Sequence, residues 1–298
     1  MTNATTSARV LLVSVLCWAV TSGCEPQEPS SELAGLETQA QELGSVNGIS
    51  ANGISANGIS ANGISANGLA ANGLTINGLS QPSFSAWFAN DPAASDMLMR
   101  YLVRCALPAG DSRAFTDPET GELHTWTGNL GLAPGWASGA PASLAEQQVI
   151  TACLLAHVNQ SGMHLPISVL GRDAPGNVIP YTQQELMTYS VHEACFFGNL
   201  FAPQQALYFG TDRNAHNKGA VFTRACSVSG ESVTDRYANV ATTCAPLQYA
   251  GSCLARCQVD WQGGPFYKTC TFNGVNYPAI TTRMRPQDYG QLVASMGD

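Results

Sequence analysis

Positively charged side chains are scarce in this chain of 298 residues, which has 13 lysines and arginines against 21 acidic residues. No run of basic residues occurs in the sequence, and its only lysines are Lys218 and Lys268. Nucleic acids and anionic membranes both attract proteins through lysine and arginine side chains. The composition therefore excludes a nucleic-acid partner and also excludes attachment to a membrane by charge alone.

Sequence motifs of catalysis and cofactor binding are also missing. The chain has no GxSxG, no HExxH, no phosphate-binding glycine loop and no CxxC pair. Cys253 and Cys257 are close in sequence, but no histidine pair follows at zinc-finger spacing, so disulfides are favoured over zinc there. We therefore predict that the protein has no cofactor and no metal site, and we assign no catalytic residue. A non-enzymatic role is favoured over an enzymatic one.

The apolar stretch near the N-terminus is short. Residues 10–20 are mostly apolar and follow the basic Arg9, but eleven residues are too few to span a membrane as a helix. A positive charge followed by an apolar run of this length is typical of a secretory signal peptide, which we place at residues 1–23. The protein is therefore expected to be exported.

A cysteine follows the predicted signal peptide. The sequence Thr21-Ser22-Gly23-Cys24 resembles the lipobox of bacterial lipoproteins, although Thr21 stands where an aliphatic residue is usual. Ordinary signal cleavage after Gly23 is the alternative. Of the ten cysteines, Cys17 is removed with the signal peptide. Lipidation of Cys24 then leaves eight cysteines for disulfides, whereas an unmodified Cys24 leaves one thiol without a partner, so a lipid anchor is predicted. The cysteines predicted to form disulfides, in a pairing that stays open, are Cys105, Cys153, Cys195, Cys226, Cys244, Cys253, Cys257 and Cys270.

The distribution of charge divides the exported chain into segments. Residues 25–42 carry five acidic and no basic side chains, and no charged residue lies between Leu43 and Asn90. Within this uncharged stretch, residues 46–80 form seven pentapeptides with Asn and Gly at their second and third places. We therefore predict a lipidated cysteine and acidic linker at 24–45, a low-complexity repeat spacer at 46–80 and a globular domain at 82–298.

The repeat resembles the pentapeptide-repeat family, whose chains wind into a four-sided β-helix. Here a glycine precedes the aliphatic residue of each repeat, so the register of that family does not carry over. Glycine increases the entropy lost on ordering, and one Ile or Leu in each repeat buries little apolar surface in return. A flexible spacer is expected, and a short solenoid docked on the globular domain is the alternative.

Capping residues and apolar spacing predict three helices in the globular part. The first begins at Asp91, and the second begins at a capping box formed by Ser143 and Glu146. The third opens at Thr182 and runs toward Gly198. Strands are predicted at 114–115, 123–127, 165–170 and 221–227, and in a hairpin of 267–272 with 275–280.

The hairpin has the strongest turn signal in the globular part, because Asn273-Gly274 separates its two strands. Pro278 has no backbone N–H to donate, which predicts that the second strand lies at a sheet edge. Helices and strands occur without a regular alternation. The predicted fold class is therefore α+β, in a single disulfide-stabilised domain.

Six motifs lie within or beside residues 97–289. They are RYLVRCALPAG, GNLGLAPGW, ITACLLAHVN, PISVLG, EACFFGNLF and YPAITTRMRPQDYG. Together with Asn-Gly repeats after a lipobox, they resemble a family of uncharacterised lipoproteins of myxobacteria. The resemblance implies export and this architecture, and it implies no catalytic residues.

Three sets of side chains are candidates for chemistry or binding. Cys153 and His157 are one helical turn apart, as a thiolate and its base would be, although their apolar stripe favours a buried disulfide and a core histidine. His192 and Glu193 could form an acid–base pair at a helix end, but adjacent helical residues point about 100° apart, which favours a polar helix face. The aromatic residues that could stack on a sugar, with core packing as the alternative, are Trp126, Trp136, Trp261, Tyr267 and Tyr277.

These observations predict a non-enzymatic binding or adhesion domain displayed on a tether at the outer membrane, the cell surface or in the periplasm. Its expected partners are the membrane, through the lipid, and a glycan or protein ligand. One alternative is a secreted or surface-anchored hydrolase, which would need a free cysteine or a polar pocket around His157 or His192. The other alternative is a purely structural envelope protein.

Overall fold

The computed structural model describes residues 45–47, 73–158, 165–202, 206–213, 243–244 and 247–294. The predicted signal peptide, the lipid site at Cys24, nearly all of the acidic linker, residues 48–72 of the repeat, Cys226 and the strand predicted at 221–227 lie outside the described residues. The described residues form helices and a curled mixed sheet, in agreement with the predicted α+β class.

Five of the eight helices in the described part of the chain lie between strands β1 (Ser45–Asn47) and β4 (Leu165–Gly171). The eight helices are α1 (Ile76–Leu79), α2 (Pro82–Asn90), α3 (Pro92–Ala106), α4 (Pro134–Ala137), α5 (Leu144–Ala156), α6 (Gln183–Thr188), α7 (Cys253–Arg256) and α8 (Pro286–Ala294). Across the described ranges, none of these helices has the length and hydrophobicity that a membrane crossing needs.

The strands form one large sheet and one small hairpin. They are β1 (Ser45–Asn47), β2 (Ser112–Thr116), β3 (Leu123–Thr127), β4 (Leu165–Gly171), β5 (Val191–Asn199), β6 (Ala206–Thr211), β7 (Thr243–Cys244), β8 (Leu247–Ser252), β9 (Cys257–Val259), β10 (Tyr267–Phe272) and β11 (Val275–Met284). The hairpin is β2 with β3, and the large sheet has the order β1-β4-β11-β5-β6-β8-β7, with β10 pairing β11 and β9. Neighbouring strands are antiparallel except β6 and β8, which are parallel.

Helices α3 and α5 begin where their capping residues predict. The side chain of Asp91 accepts a hydrogen bond of 3.1 Å from the Ala94 backbone N–H, and Pro92 is the first helical residue. At α5, Ser143 Oγ accepts from the Glu146 N–H, and the Glu146 carboxylate accepts from the Ser143 N–H at 2.9 Å. Both helices and the capping box are therefore confirmed.

The hairpin predicted at Asn273-Gly274 is confirmed, but its second strand does not lie at an edge. Asn273 and Gly274 have φ angles of 50° and 77°, as a tight turn between β10 and β11 requires. Strand β11 continues to Met284 and pairs with both β4 and β5 in the middle of the sheet. Pro278 is tolerated because pairing with β5 begins only at Ala279, so β10 alone flanks the strand at the proline.

The third predicted helix is much shorter than expected. Helix α6 is capped by Thr182 as predicted, but it has six residues and is followed by strand β5. Residues 194–197 enter the sheet because their side chains are buried alternately in two apolar clusters, one on each face. His192 and Glu193 therefore lie in a strand, and the prediction that they end a helix is wrong.

Helix α5 packs between the main sheet and α3. It packs against β5 and β11 on one side and against α3 on another, and α3 also packs against β3. The described disulfides are Cys105–Cys153, Cys195–Cys253 and Cys257–Cys270. The prediction that the domain contains disulfide bonds is therefore confirmed.

Both ends of the repeat segment belong to the globular fold. At the start of the repeat, β1 pairs with β4. At its other end, Leu74 is buried in the main core, and its N–H donates to the Trp136 carbonyl at 2.9 Å. Gly73 has a φ angle of +69°, and a Cβ there would lie 2.6 Å from the backbone of Gly139, so this repeat position requires glycine. The segment predicted as a spacer is thus held to the domain at its two ends.

Candidate functional site

An exposed tryptophan marks the turn between β9 and β10. Trp261 is 88 % exposed, whereas the other tryptophans in the described part of the chain, Trp87, Trp126 and Trp136, are buried. Residues 260–264 form this turn, which we call the Trp261 turn. Covering a solvent-exposed indole ring with a ligand removes apolar surface from water, which lowers the free energy of the complex. Tryptophan is also enriched among the residues that dominate binding energies.

Asp260 fixes the shape of the Trp261 turn. Its carboxylate is buried and accepts a hydrogen bond of 2.8 Å from the Gly263 backbone N–H, while its carbonyl accepts one of 3.0 Å from the Gly264 N–H. Its backbone N–H in turn donates to the Phe266 carbonyl at 2.9 Å. These bonds leave the turn little freedom to change conformation.

Arg172, which follows β4, attaches the turn to the main sheet. Its guanidinium donates two hydrogen bonds to the Asp260 carboxylate, of 2.5 and 3.2 Å, and a third of 2.6 Å to the Gly176 carbonyl. The bonds from Arg172 hold the pKa of the Asp260 carboxyl below its usual range. The pair therefore stays charged at neutral pH, and the turn keeps its support there.

Two glycines let other side chains pack closely beneath the turn. A Cβ at Gly263 would lie 2.7 Å from Arg172 Nη2, and a Cβ at Gly264 would lie 2.3 Å from the Tyr181 hydroxyl. The Tyr181 hydroxyl donates to the Gly263 carbonyl at 3.3 Å, and its ring meets the Phe266 ring edge-on. The base of the turn is therefore packed.

The exposed side of the turn combines an apolar ring with polar groups. Gln262, which is exposed next to Trp261, carries an amide that can both donate and accept hydrogen bonds. A flat exposed ring on a backbone turn of fixed shape can stack on a ligand, and the neighbouring amide can hydrogen-bond to it. The arrangement is suited to binding, and it contains no group placed for chemistry among the described residues.

The other aromatic residues considered for ligand stacking do not form a surface. Trp126, Trp136, Tyr267 and Tyr277 are all buried in the structure. Trp136 packs edge-on against Phe201 in the main core. This contact is the core packing that was the alternative to stacking on a ligand. Of the five candidates, Trp261 alone is available to a ligand.

Trp261 is a candidate in the sequence, but the residues that hold its turn are not. The Gly263-Gly264-Pro265 stretch after it is a local signal for a turn. No local signal connects Arg172 to Asp260, because the two residues are 88 positions apart in the chain.

The structure brings Cys153 and His157 together without forming a nucleophile and base. His157 is fully buried at the end of α5, and its Nδ1 lies 2.8 Å from the Cys153 carbonyl oxygen. The Cys153 sulfur is bonded to Cys105, so no thiolate is available beside the imidazole. This is the arrangement of a core histidine and a structural disulfide.

His192 and Glu193 have different partners. His192 Nδ1 lies 3.4 Å from Asp212 Oδ2, whereas the buried Glu193 carboxylate accepts a hydrogen bond of 2.8 Å from Thr282 Oγ1. The two residues therefore do not form an acid–base pair. Each of the six cysteines whose side chains the structure describes is in a disulfide, so none of them supplies a thiol nucleophile for His192.

Asp212 is held in its charged form beside His192. Burial alone would raise the pKa of its carboxyl, but hydrogen bonds from His192, Tyr267 and the Arg213 backbone outweigh burial and lower it. The Tyr267 bond is 2.7 Å long, and burial together with this carboxylate raises the pKa of the Tyr267 hydroxyl. These groups satisfy one another inside the domain, which is typical of a structural polar cluster.

Two groups of side chains have the spacing of metal ligands in the described residues. They are Cys105, Cys153 and His157, and Cys195, Cys257 and Cys270. Every cysteine in both groups is bonded in a disulfide, and zinc requires the thiolate form. Cys244 lies in β7, and Cys24 and Cys226 lie outside the described residues.

Comparison with known proteins identifies the repeat. Residues 48–75 match the GLTT repeat in six copies, so the N-terminal region contains repeats. This match covers a small part of the chain and does not include the Trp261 turn. No curated protein and no solved structure gives a significant match.

Proposed function

We propose that this protein is an exported lipoprotein whose α+β domain binds a neutral glycan through the Trp261 turn. In this proposal Cys24 carries the lipid, and the acidic residues 25–44 are the tether between the membrane and β1. The repeat segment 48–72 lies between β1 and α1 in the sequence. The role is binding, without chemical conversion of the ligand.

The observation that carries the proposal is the exposed ring of Trp261 on a turn that is fixed from below. Because Asp260 and Arg172 hold the turn before any ligand arrives, little backbone conformational entropy is lost on binding. The exposed indole can cover one face of a sugar ring, and Gln262 can hydrogen-bond to the hydroxyl groups of the sugar.

A glycan suits this surface better than a large protein partner. The apolar area at the turn is one ring flanked by polar groups, whereas a stable protein interface buries about 800 Å² on each partner. The formal net charge of the chain is −8, which repels acidic polysaccharides over distances of about a Debye length. A neutral polysaccharide is therefore the ligand class that fits both observations.

The export and lipid parts of the proposal rest on the N-terminal sequence and on the disulfides. Thr21-Ser22-Gly23-Cys24 follows a short apolar run, and lipidation of Cys24 leaves an even number of cysteines. Three disulfides in a domain large enough to fold around its own core favour an oxidising compartment.

Replacing Trp261 by alanine should weaken glycan binding at least tenfold, which corresponds to about 1.4 kcal/mol. The same change should leave the free energy of unfolding within about 0.5 kcal/mol, because the side chain is exposed. Binding of the purified protein is measured on beads of insoluble neutral polysaccharides and by acrylamide quenching of tryptophan fluorescence. Bound glycan should protect Trp261 from the quencher.

Leu123→Ala is the matched control, because Leu123 is also a large exposed apolar residue but lies in the separate β2–β3 hairpin. It should bind like the wild type. The proposal fails if no neutral polysaccharide binds and protects Trp261, or if Trp261→Ala binds as tightly as Leu123→Ala.

A further inference from the structure

Four cysteine sulfurs form one cluster where β5, α7, β9 and β10 meet. They form the disulfides Cys195–Cys253 and Cys257–Cys270, and the sulfur of Cys257 lies only 3.6 Å from the sulfur of Cys195. The sulfurs of Cys195, Cys257 and Cys270 all lie within 4.8 Å of one another. A thiolate released from one bond would therefore lie in contact with the other bond.

The cluster is packed against the sheet and reaches solvent at one member. A Cβ on Gly210 of β6 would lie 2.9 Å from the Cys195 sulfur and 3.1 Å from the Cys253 sulfur, so this glycine lets that disulfide lie on the strand backbone. Cys195, Cys253 and Cys270 are buried, whereas Cys257 is partly exposed. Among these four sulfurs, an external thiol reaches Cys257 first.

We propose that the four cysteines form a single thiol–disulfide exchange site, which takes electrons from a thiol reductant at Cys257 and passes them to the buried Cys195–Cys253 bond. The site would thus respond as a unit to the thiol content of the compartment. Its reactive partner is a small thiol or dithiol that can approach Cys257.

The exchange needs three steps. A thiolate of the reductant attacks the Cys257 sulfur, forms a mixed disulfide there and releases the Cys270 thiolate. A second thiolate of the reductant attacks the reductant sulfur of that mixed disulfide, which gives the oxidised reductant and frees the Cys257 thiolate. The Cys257 thiolate then attacks the Cys195 sulfur, so that a Cys195–Cys257 bond forms, the Cys195–Cys253 bond breaks and Cys253 leaves as a thiolate.

The Cys105–Cys153 disulfide provides an internal comparison. Both cysteines are fully buried, and the third member of their potential ligand group is His157 and not another cysteine. A thiolate released from this bond has no second disulfide within that group to attack. The free thiol should therefore stay on the cysteine where it was released.

The test starts from Cys270→Ser, which leaves Cys257 as a free thiol without added reductant. The protein is prepared at pH 5, where thiols are protonated and exchange is slow, and is then moved to higher pH for timed alkylation and peptide mapping. The alkyl label should move from Cys257 to Cys253 with time, about tenfold faster for each pH unit up to pH 7. In the control Cys153→Ser, the label should stay on Cys105.

A label that stays on Cys257 at every pH would contradict the exchange site. Because Cys270→Ser could fold poorly, the wild-type protein is also treated with less than one equivalent of dithiothreitol and mapped in the same way. Chains with a Cys195–Cys257 bond and with free Cys253 and Cys270 are expected. Chains in which Cys257 and Cys270 are the only free thiols would overturn the proposal.

Discussion

Replacing both Cys105 and Cys153 by alanine is expected to lower the free energy of unfolding by about 4 kcal/mol. The two cysteines are 48 residues apart, and their bond joins α3 to α5 in the main core. Without the bond, the unfolded chain gains the conformational entropy of an open loop of that length. Urea denaturation of the two proteins under non-reducing conditions gives the difference directly.

The matched control is the double replacement of Cys257 and Cys270 by alanine, which opens a loop of 13 residues. The loop-entropy relation gives about 3 kcal/mol for that bond, so the first variant should be less stable than the second by about 1 kcal/mol. A loss below about 1 kcal/mol for the Cys105 and Cys153 variant would show that the bond does not hold the core together.

Glu146→Gln should destabilise the protein by roughly 2 kcal/mol at pH 7. The buried carboxylate of Glu146 accepts hydrogen bonds of 2.9 Å from the Trp136 N–H, the Ser143 N–H and Ser143 Oγ. Glutamine keeps the shape but places an amide N–H₂ group against one of these donors. One N–H is then left without an acceptor inside the protein.

The effect of Glu146→Gln should also depend on pH. Burial alone would raise the pKa of the Glu146 carboxyl, but the hydrogen bonds from Ser143, Trp136 and Gly135 outweigh burial and lower it. Because the folded-state pKa lies below the unfolded-state value, the stabilisation is fully present above the unfolded-state pKa. It is lost as the pH falls through the folded-state pKa.

Urea denaturation at pH 7 and at pH 3 measures both parts of this prediction. The wild type should lose more stability between these pH values than Glu146→Gln does. The difference between their free energies of unfolding should therefore be smaller at pH 3 than at pH 7. Glu119→Gln, at an exposed position, should match the wild type at pH 7. Equal stability of the two glutamine variants at pH 7 would mean that the buried carboxylate does not stabilise the fold.

Local signals predicted the parts of the fold in which neighbouring residues determine structure. The capping box at Ser143 and the Asn273-Gly274 turn each fix a few backbone angles, and the structure has both. The edge position predicted from Pro278 is wrong because the sequence does not show where pairing with another strand begins. In the structure the proline lies one residue before that point.

Signals that depend on distant residues could not be read from the sequence. The cap at Thr182 predicts where α6 begins, but the burial of Ala194–Phe197 between two clusters turns the next segment into a strand. At the site, sequence alone gave Trp261 as one of five aromatic candidates. The turn that carries Trp261 is held by the Arg172–Asp260 pair, which joins residues far apart in the chain.

In the proposed function, a lipid on Cys24 displays this domain from a membrane. The lipid anchor is tested by mass spectrometry of protein extracted from native membranes, with free thiols alkylated before any reduction. The mature chain should begin at Cys24, with a diacylglycerol on its sulfur and no alkyl label there. A chain that begins at an unmodified or alkylated Cys24, or that still carries residues 1–23, would contradict the proposed lipid anchor.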